Sequence, residues 1–111
     1  MFKLIHYNRC SKSRECKKIL DGKKIKYELI EYSKNKLNKN LITEIVSNIN
    51  QISRMIRTNE KKFKINTFNT NNKKQLIDFL FEHQNCIQRP IFFDGKKYHI
   101  CRPPKKVIEL L

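Results

Sequence analysis

The stretch MFKLIHYNRCSKSRECKKILDGKKIKYELIEY, residues 1–32, decides the fold class. FKLIHY is a short apolar strand, and CSKSRECKKIL is a helix with Ile19 and Leu20 as core contacts. We predict that Gly22 ends this helix, because glycine tolerates the left-handed conformation that often follows a helix. KIKYELIEY alternates apolar and charged residues, which predicts a strand with Leu29 on its buried face. These elements form a βαβ unit, whose two strands are normally parallel.

The middle of the chain has two apolar patterns with helical spacing. LITEIVSNINQI, residues 41–52, and KKQLIDFLFEH, residues 73–83, repeat apolar residues every three or four positions, and the second pattern includes Phe81. Between them, NTFNTNN at residues 66–72 has the composition of a loop. We therefore predict a helical insert over about residues 37–84.

The last part of the chain predicts a hairpin and a helix. IFFDGKKYHI, residues 91–100, is two apolar strands joined at Asp94-Gly95, a dipeptide that suits a type I′ turn. PPKKVIELL, residues 103–111, begins with proline as many helices do. The whole order predicts an α/β, thioredoxin-like fold in one domain, residues 1–111, with a central mixed sheet and the helical insert between its two halves.

The chain carries a large positive charge, +15, from 25 Lys and Arg against 10 Asp and Glu. Such a charge attracts phosphate backbones or small anions. The lysines are scattered rather than collected on one helical stripe, and Lys, Asn and Ile are plentiful throughout, as under AT-rich codon bias. We interpret the excess as mostly solvated surface and do not expect nucleic acid as a partner.

The lengths of the apolar runs and the number and spacing of the cysteines bear on the cellular compartment of the protein. No apolar run approaches the roughly 20 residues that span a bilayer, and MFKLIHYN lacks the features of a signal peptide. We expect a soluble, cytoplasmic, monomeric protein with no membrane partner. The cysteines are Cys10, Cys16, Cys86 and Cys101. The reducing cytosol argues against disulfides, and the Cys and His spacings do not form a zinc site, so we expect no metal.

Cys10 stands where the first strand gives way to the first helix. Unpaired backbone N–H groups and the helix dipole favour a thiolate at such a position. The nearby polar and basic side chains are Arg9, Ser11, Lys12, Ser13 and Arg14. Together they would hold an oxyanion against a nucleophilic sulfur. The alternative is a helix start capped by Ser11 with Cys10 as a packing residue, and this segment alone leaves both interpretations open.

Three downstream arginines favour the oxyanion interpretation. They are Arg57 in MIRTNE, Arg89 in CIQRPIFF and Arg102 in ICRPPKKV. Guanidinium groups bind tetrahedral oxyanions through paired N–H donors and stay charged at every working pH. Each arginine alone is typical of a surface ion pair. Their combination with Cys10 predicts a thiolate that attacks a bound, phosphate-like anion.

From IHYNRCSKSRE through IRTNE and RPIFFDG to RPPKKVIELL, almost the whole chain resembles the glutaredoxin-coupled arsenate reductase family. Members of that family have a thioredoxin-like fold with a helical insert. The resemblance implies catalytic and oxyanion-binding roles for Cys10, Arg57, Arg89 and Arg102. It implies supporting roles for His6, which helps to hold the thiolate, for Ser13 and Arg14 of the CxxSR motif, and for Pro90 as a cis proline.

The resemblance also implies a reaction. The Cys10 thiolate attacks arsenate and forms an arseno-cysteine ester, glutathione as co-substrate attacks that adduct, and reduced glutaredoxin reduces the mixed product and releases arsenite. No bound cofactor is implied. The chain departs from the family pattern at Tyr7 and Asn8, where an Asn and a Pro are usual, and at Cys101, where Gly is common. Cys101 could approach Cys10 and form a disulfide, although a simple packing residue is the more ordinary interpretation.

Two other functions compete with this one. Spx-type regulators share the fold and bind RNA polymerase, but their redox-switching members carry CxxC, and Ser13 occupies the position of the second cysteine. A monothiol, glutathione-linked oxidoreductase acting on mixed disulfides needs only Cys10. We favour the oxyanion reductase, because neither alternative requires the three arginines.

Overall fold

The computed structural model describes residues 1–61, 63 and 71–111. Within them, one mixed sheet is formed by β1 (Phe2–His6), β2 (Tyr27–Glu31), β3 (Ile91–Phe93) and β4 (Tyr98–Ile100). The strands lie in the order β2-β1-β3-β4. β1 is parallel to β2 and antiparallel to β3, and β3 is antiparallel to β4. The predicted βαβ unit, the hairpin and the thioredoxin-like α/β class are confirmed.

Helices cover both faces of this sheet. The α-helices that lie wholly within the described residues are α1 (Ser11–Gly22), α2 (Lys39–Asn48) and α3 (Lys73–Glu82), and the 3₁₀ segments there are Ile52–Arg54, Gln84–Cys86 and Pro104–Leu110. The side chains of Asn38 and Asn72 accept hydrogen bonds at the N-termini of α2 and α3. α2 ends four residues earlier than the sequence predicts, and the C-terminal segment is a 3₁₀-helix where an α-helix is predicted. None of the helices described here has the length and apolarity needed to cross a membrane.

The core has two parts because side chains of β1 alternate between the faces of the sheet. Leu4 packs with Phe92 against α1 and the C-terminal 3₁₀-helix. Ile5 packs with Ile91 against α2 and α3 on the opposite face. The next residue, His6, lies on the face of the sheet that α1 covers. The last residue of β1 therefore contacts Ser13 in the first turn of α1.

Two apolar residues predicted to be buried are instead exposed. Leu29 is 43% exposed, and it lies on β2, an edge strand of the sheet. The alternating pattern of this strand predicts one buried face but does not reveal how fully other elements cover that face at the edge of the sheet. Phe81 is 39% exposed, and Phe79 takes the buried place on α3. Of the predicted Asn-rich loop, residues 66–70 lie outside the part of the chain that the structure describes.

The end of α1 uses a lysine where the sequence predicts glycine. Gly22 remains helical, and Lys24 adopts the left-handed conformation with φ 58°. The N–H of Ile25 bonds to the carbonyl of Leu20, and that of Lys24 to Asp21, both at 3.0 Å. This is a Schellman end, which requires a left-handed residue two positions beyond the last helical residue.

The loop between β3 and β4 is longer than the two-residue turn that the sequence predicts. The loop spans residues 94–97, and only Gly95 in it has positive φ, at 105°. A type I′ turn needs positive φ at both central residues, so the predicted turn type is wrong. The Asp94 carboxylate instead accepts hydrogen bonds from the N–H groups of Lys96 and Lys97, each at 2.8 Å, and shapes a longer loop.

Candidate active site

Cys10 is the N-cap residue of α1, immediately after the turn that leaves β1. Its N–H donates to the carbonyl of Tyr7 at 2.9 Å, and its own carbonyl accepts from the N–H of Arg14 at 3.0 Å. The helix has no side-chain cap, and Ser11 is its first helical residue, so the alternative of a helix capped by Ser11 is wrong. The half-buried thiol therefore lies beside the unpaired N–H groups of the first turn.

The surroundings of Cys10 favour its thiolate. Burial raises the pKa of the thiol, but the backbone N–H groups of Ser13 and Lys12, a hydrogen bond from Arg89 and the charge of Arg102 outweigh burial. The resulting pKa of Cys10 is below its ordinary value. The Nη2 of Arg102 lies 3.4 Å from the Cys10 sulfur. A thiolate with these donors is a nucleophile in a positive environment.

The three predicted arginines come together through backbone carbonyls. Nη1 of Arg89 and Nη1 of Arg57 both donate to the carbonyl of Asn85, at 3.0 and 3.3 Å. Nε of Arg102 donates to the carbonyl of Arg89 at 2.8 Å. Arg57 also pairs with the carboxylate of Glu60 at 2.6 Å. The structure thus brings the arginines into one cluster, with Arg89 and Arg102 against Cys10 and Arg57 at the far side.

Arg89 is the buried member of this cluster, with 7% of its surface exposed. Its guanidinium carbon lies 4.0 Å from the centroid of the Tyr7 ring, which is a cation–π contact. Within the described residues, Nε of Arg89 is the buried side-chain nitrogen or oxygen that has no hydrogen-bond partner. A buried donor without a partner is unusual, so Arg89 has hydrogen-bonding capacity to offer an anion.

His6 and Ser13 form a buried pair beneath the thiol. Nδ1 of His6 lies 2.6 Å from Oγ of Ser13, and Nε2 lies 3.3 Å from Oδ1 of Asn8. Ser13 Oγ also accepts from the N–H of Tyr7 at 3.0 Å. These contacts are satisfied when the Ser13 hydroxyl donates to Nδ1 and Nε2–H donates to Asn8. The buried Ser13 hydroxyl is thus in contact with His6 and with the N–H of Tyr7, and its role as a donor to an anion stays a prediction.

The remaining predicted residues lie around the same helix start. Ser11 and Lys12 are exposed in the first turn of α1. Arg14 donates to the carbonyl of Asn8 at 2.9 Å and so braces the turn between β1 and α1. The Arg89–Pro90 bond is cis as predicted, and the Arg102–Pro103 bond is also cis, which was not predicted.

Two contributors to the cluster had no signal in the sequence. Asn85 acts through its backbone carbonyl, which any residue type supplies, and its side chain accepts from the Tyr7 hydroxyl at 3.2 Å. Arg54 donates to the carbonyl of Arg102 at 3.1 Å and to the side chain of Gln51 at 2.9 Å. Arg54 therefore supports the segment that carries Arg102, and in sequence it looks like one more basic residue of the insert.

The other cysteines lie in the core. The neighbouring Cys101 thiol and burial raise the pKa of Cys16, and burial raises that of Cys86. All four cysteines are free thiols, and Cys101 packs in the core cluster of Cys16. Among the described residues, no group of three or more His, Cys, Asp and Glu side chains is placed to hold a metal ion. Cys10 is the thiol with a lowered pKa.

Comparison with known proteins identifies the family, because residues 5–110 match the model of the ArsC family. The chain belongs to the ArsC family. An arsenate reductase of Haemophilus influenzae is 33% identical, with 97% of each chain covered. The Escherichia coli relative named uncharacterized protein YfgD is 26% identical, over 98% of this chain and 95% of its own.

The fold comparison agrees with the family. The solved structure of an arsenate reductase from Vibrio cholerae superposes with a TM-score of 0.83 at 25% identity, covering 99% of this chain and 97% of the other. The family resemblance of the sequence and the thioredoxin-like fold are therefore confirmed for this ArsC chain.

Proposed function

We propose that this ArsC-family chain is an arsenate reductase that uses Cys10 as nucleophile, glutathione as co-substrate and reduced glutaredoxin as electron donor. The observation that carries the proposal is the half-buried Cys10 at a helix N-terminus with Nη2 of Arg102 3.4 Å from its sulfur. The activity in the name of the Haemophilus relative supports the choice of arsenate.

In the proposed complex, arsenate binds between the first turn of α1 and the arginine cluster. The N–H groups of Ser11, Lys12 and Ser13 supply donors at the positive end of the helix. Arg57, Arg89 and Arg102 supply guanidinium donors from the other side. His6 acts indirectly, because its ring contacts Ser13, and Arg14 holds the turn before the thiol through its bond to the carbonyl of Asn8. Pro90 supports the segment that carries Cys101 and Arg102, since its carbonyl accepts from the N–H of Cys101.

The proposed chemistry is a two-electron reduction by two thiols. The Cys10 thiolate attacks arsenic and forms an S–As bond while one oxygen leaves as water, so arsenic remains pentavalent. The glutathione thiol then attacks the arsenic of this adduct and a second oxygen leaves as water, so that pentavalent arsenic is bound to both sulfurs. A thiolate of reduced glutaredoxin attacks the glutathione sulfur, which forms a glutaredoxin–glutathione disulfide and leaves the electron pair of the broken S–As bond on arsenic. Water then displaces the trivalent arsenic from Cys10 as arsenite and restores the thiol. The arginines stabilise the charge of the oxyanion during attack.

The experiment is arsenate-dependent NADPH oxidation, coupled through glutathione reductase, glutathione and glutaredoxin. Wild type should turn over, and Cys10→Ser should not, because a serine hydroxyl is not ionised near neutral pH. Cys16→Ala is the matched control. It also removes a cysteine thiol close to the first turn of α1, but the Cys16 thiol is buried in the core. This variant should keep turnover even where it loses stability. Equal turnover by Cys10→Ser and wild type would refute the proposal.

A general monothiol oxidoreductase is the second candidate, favoured by the partly exposed thiol of lowered pKa. The discriminating substrate is a glutathionylated protein offered in the same coupled assay without arsenate. Robust reduction of that substrate together with no response to arsenate would replace the proposed activity by thiol exchange. Recovery of RNA polymerase subunits by the immobilised chain at physiological salt would instead favour the regulator.

A further inference from the structure

Tyr7 occupies the centre of the contacts that hold the arginine cluster. It lies in the turn between β1 and α1, where its carbonyl accepts from the N–H of Cys10 and its N–H donates to Ser13. The ring is half-buried, and its centroid is 4.8 Å from that of Tyr32, which is 4% exposed. One face of the site is thus built on two tyrosine rings in tilted contact.

The ring of Tyr7 supports Arg89 in an environment that otherwise disfavours a charge. Arg89 is 7% exposed, and none of the ion pairs found among the described residues includes it. Besides the Cys10 thiolate, its compensation comes from the carbonyls of Asn85 and Ile87, at 3.0 and 3.5 Å, and from the Tyr7 ring at 4.0 Å. A cation–π contact is strongest where water is excluded.

The hydroxyl of Tyr7 ties the ring to the same cluster. It donates to Oδ1 of Asn85 at 3.2 Å, and the backbone carbonyl of Asn85 accepts from both Arg57 and Arg89. Tyr32 contacts the Tyr7 ring and is itself held by its hydroxyl, which donates to the carbonyl of Ile87 at 2.7 Å. The polar and cation–π contacts recorded for the Tyr7 side chain therefore involve Arg89 or Asn85, whose carbonyl accepts from Arg57 and Arg89.

We propose that Tyr7 is a positioning residue of the oxyanion site, whose ring holds the Arg89 guanidinium in place within the arginine cluster beside Cys10. Its significance for arsenate rests on the proposed function, but the positioning itself does not. The groups facing the sulfur are Arg89, Arg102, whose Nη2 lies 3.4 Å away, and the backbone N–H groups of Ser13 and Lys12 in the first turn of α1. A guanidinium that leaves the ring leaves the thiolate with one donor fewer.

The test is the pH profile of Cys10 alkylation by iodoacetamide, read by intact-mass spectrometry with Cys10→Ser as the blank. Tyr7→Leu keeps apolar bulk but removes the π face, and should alkylate about two- to fivefold more slowly than wild type at pH values below the thiol pKa. Tyr7→Phe keeps the face and should recover most of the wild-type rate. Tyr27→Leu, which removes another half-buried tyrosine, should follow the wild-type profile.

Arg89→Gln separates an effect through Arg89 from a general loosening of the turn. It removes the cation that lies over the Tyr7 ring, so Tyr7→Leu should lose most of its effect in that background. An equal effect with and without Arg89→Gln would overturn the proposal, as would a wild-type profile for Tyr7→Leu. If Tyr7→Leu fails to fold, the proton NMR spectrum of wild type provides the test, since the Tyr7 ring should shift the resonances of the Arg89 side-chain protons upfield. Absence of that shift would also overturn it.

These readouts involve no arsenate. If the alkylation profiles support positioning of Arg89 by Tyr7 but the chain shows no arsenate turnover, this inference stands and the proposed function is refuted. If the chain shows Cys10-dependent arsenate turnover and Tyr7→Leu has the wild-type alkylation profile, the proposed function stands and this inference is refuted.

Discussion

Replacing Arg102 by Gln removes the guanidinium whose Nη2 lies 3.4 Å from the Cys10 sulfur. At that distance, Coulomb's law with an effective dielectric constant of about 20 gives about 5 kcal/mol. Both side chains are partly exposed, so solvent screening reduces this value. Hydrogen bonds to charged groups contribute about 1.5–3 kcal/mol. We take the lower end, about 1.5 kcal/mol, which corresponds to a roughly tenfold change in the thiolate population.

The sign follows from the direction of the shift. Arg102 lowers the pKa of Cys10, so its removal raises that pKa and reduces the thiolate fraction at every pH below it. We expect Arg102→Gln to be alkylated by iodoacetamide about tenfold more slowly than wild type under those conditions, and at a similar rate at high pH where both thiols are ionised.

Arg9→Gln is the matched control, because Arg9 is exposed and adjacent to Cys10 in sequence. It removes the same charge without removing a contact to the sulfur. If the contact matters more than net charge, Arg9→Gln changes the low-pH rate far less than Arg102→Gln does. Identical profiles for Arg102→Gln and wild type would show that the contact does not stabilise the thiolate, and equal slowing in both variants would assign the effect to net charge.

Three further predictions concern stability and are measured by urea denaturation. The N–H of Lys97, the largest contributor, lowers the pKa of Asp94 to about 2, so Asp94→Asn should destabilise the chain at neutral pH, with the difference vanishing as pH falls from about 4 to about 2. Lys24→Gly should raise the free energy of unfolding by about 0.5–1 kcal/mol, because its left-handed φ suits glycine. Gln84→Met should lower it by about 1–3 kcal/mol, since the N–H and carbonyl of Leu37 lose their buried partner. For each variant, a urea midpoint at neutral pH equal to that of wild type would contradict the prediction made for it.

The position of Cys10 could be predicted from the sequence because its causes are local. An apolar strand, a short turn and a helix start are all signalled within the first 22 residues, and the observed bounds of β1 and α1 follow those signals. Two strands of one sheet that are joined by a helical crossover are normally parallel, and this rule predicts the pairing of β1 with β2. Local chemistry and one topological rule are enough for this half of the site.

The arginine cluster could not be derived in the same way. Arg57 and Arg89 are 32 positions apart in the chain and meet at the carbonyl of Asn85, a contact that depends on tertiary structure and not on residue type. Only the spacing of whole motifs, compared with a family, predicted that they belong together. Tyr7 was visible as a departure from the family pattern, but its contact with Arg89 depends on where the ring of Tyr32 lies.

The errors at turns have a common cause. In the sequence, glycine predicts left-handed backbone at Gly22 and a two-residue turn at Asp94-Gly95. In the structure Lys24 takes the left-handed position at the end of α1, and the hairpin loop is shaped by the Asp94 carboxylate. The preference of glycine for positive φ is worth only about 1 kcal/mol, which tertiary contacts of the following strand can override.

Three guanidinium groups held near one another repel, and the structure offsets this repulsion before any anion binds. The carbonyls of Asn85 and Arg89 accept from the arginines, and the Glu60 carboxylate pairs with Arg57. Because most of these acceptors are backbone groups, the arginines are oriented by the fold and not by surface side chains that are free to move. In the proposed reaction the donors therefore need little rearrangement as charge develops on the oxyanion, which is the condition for electrostatic stabilisation to lower a barrier.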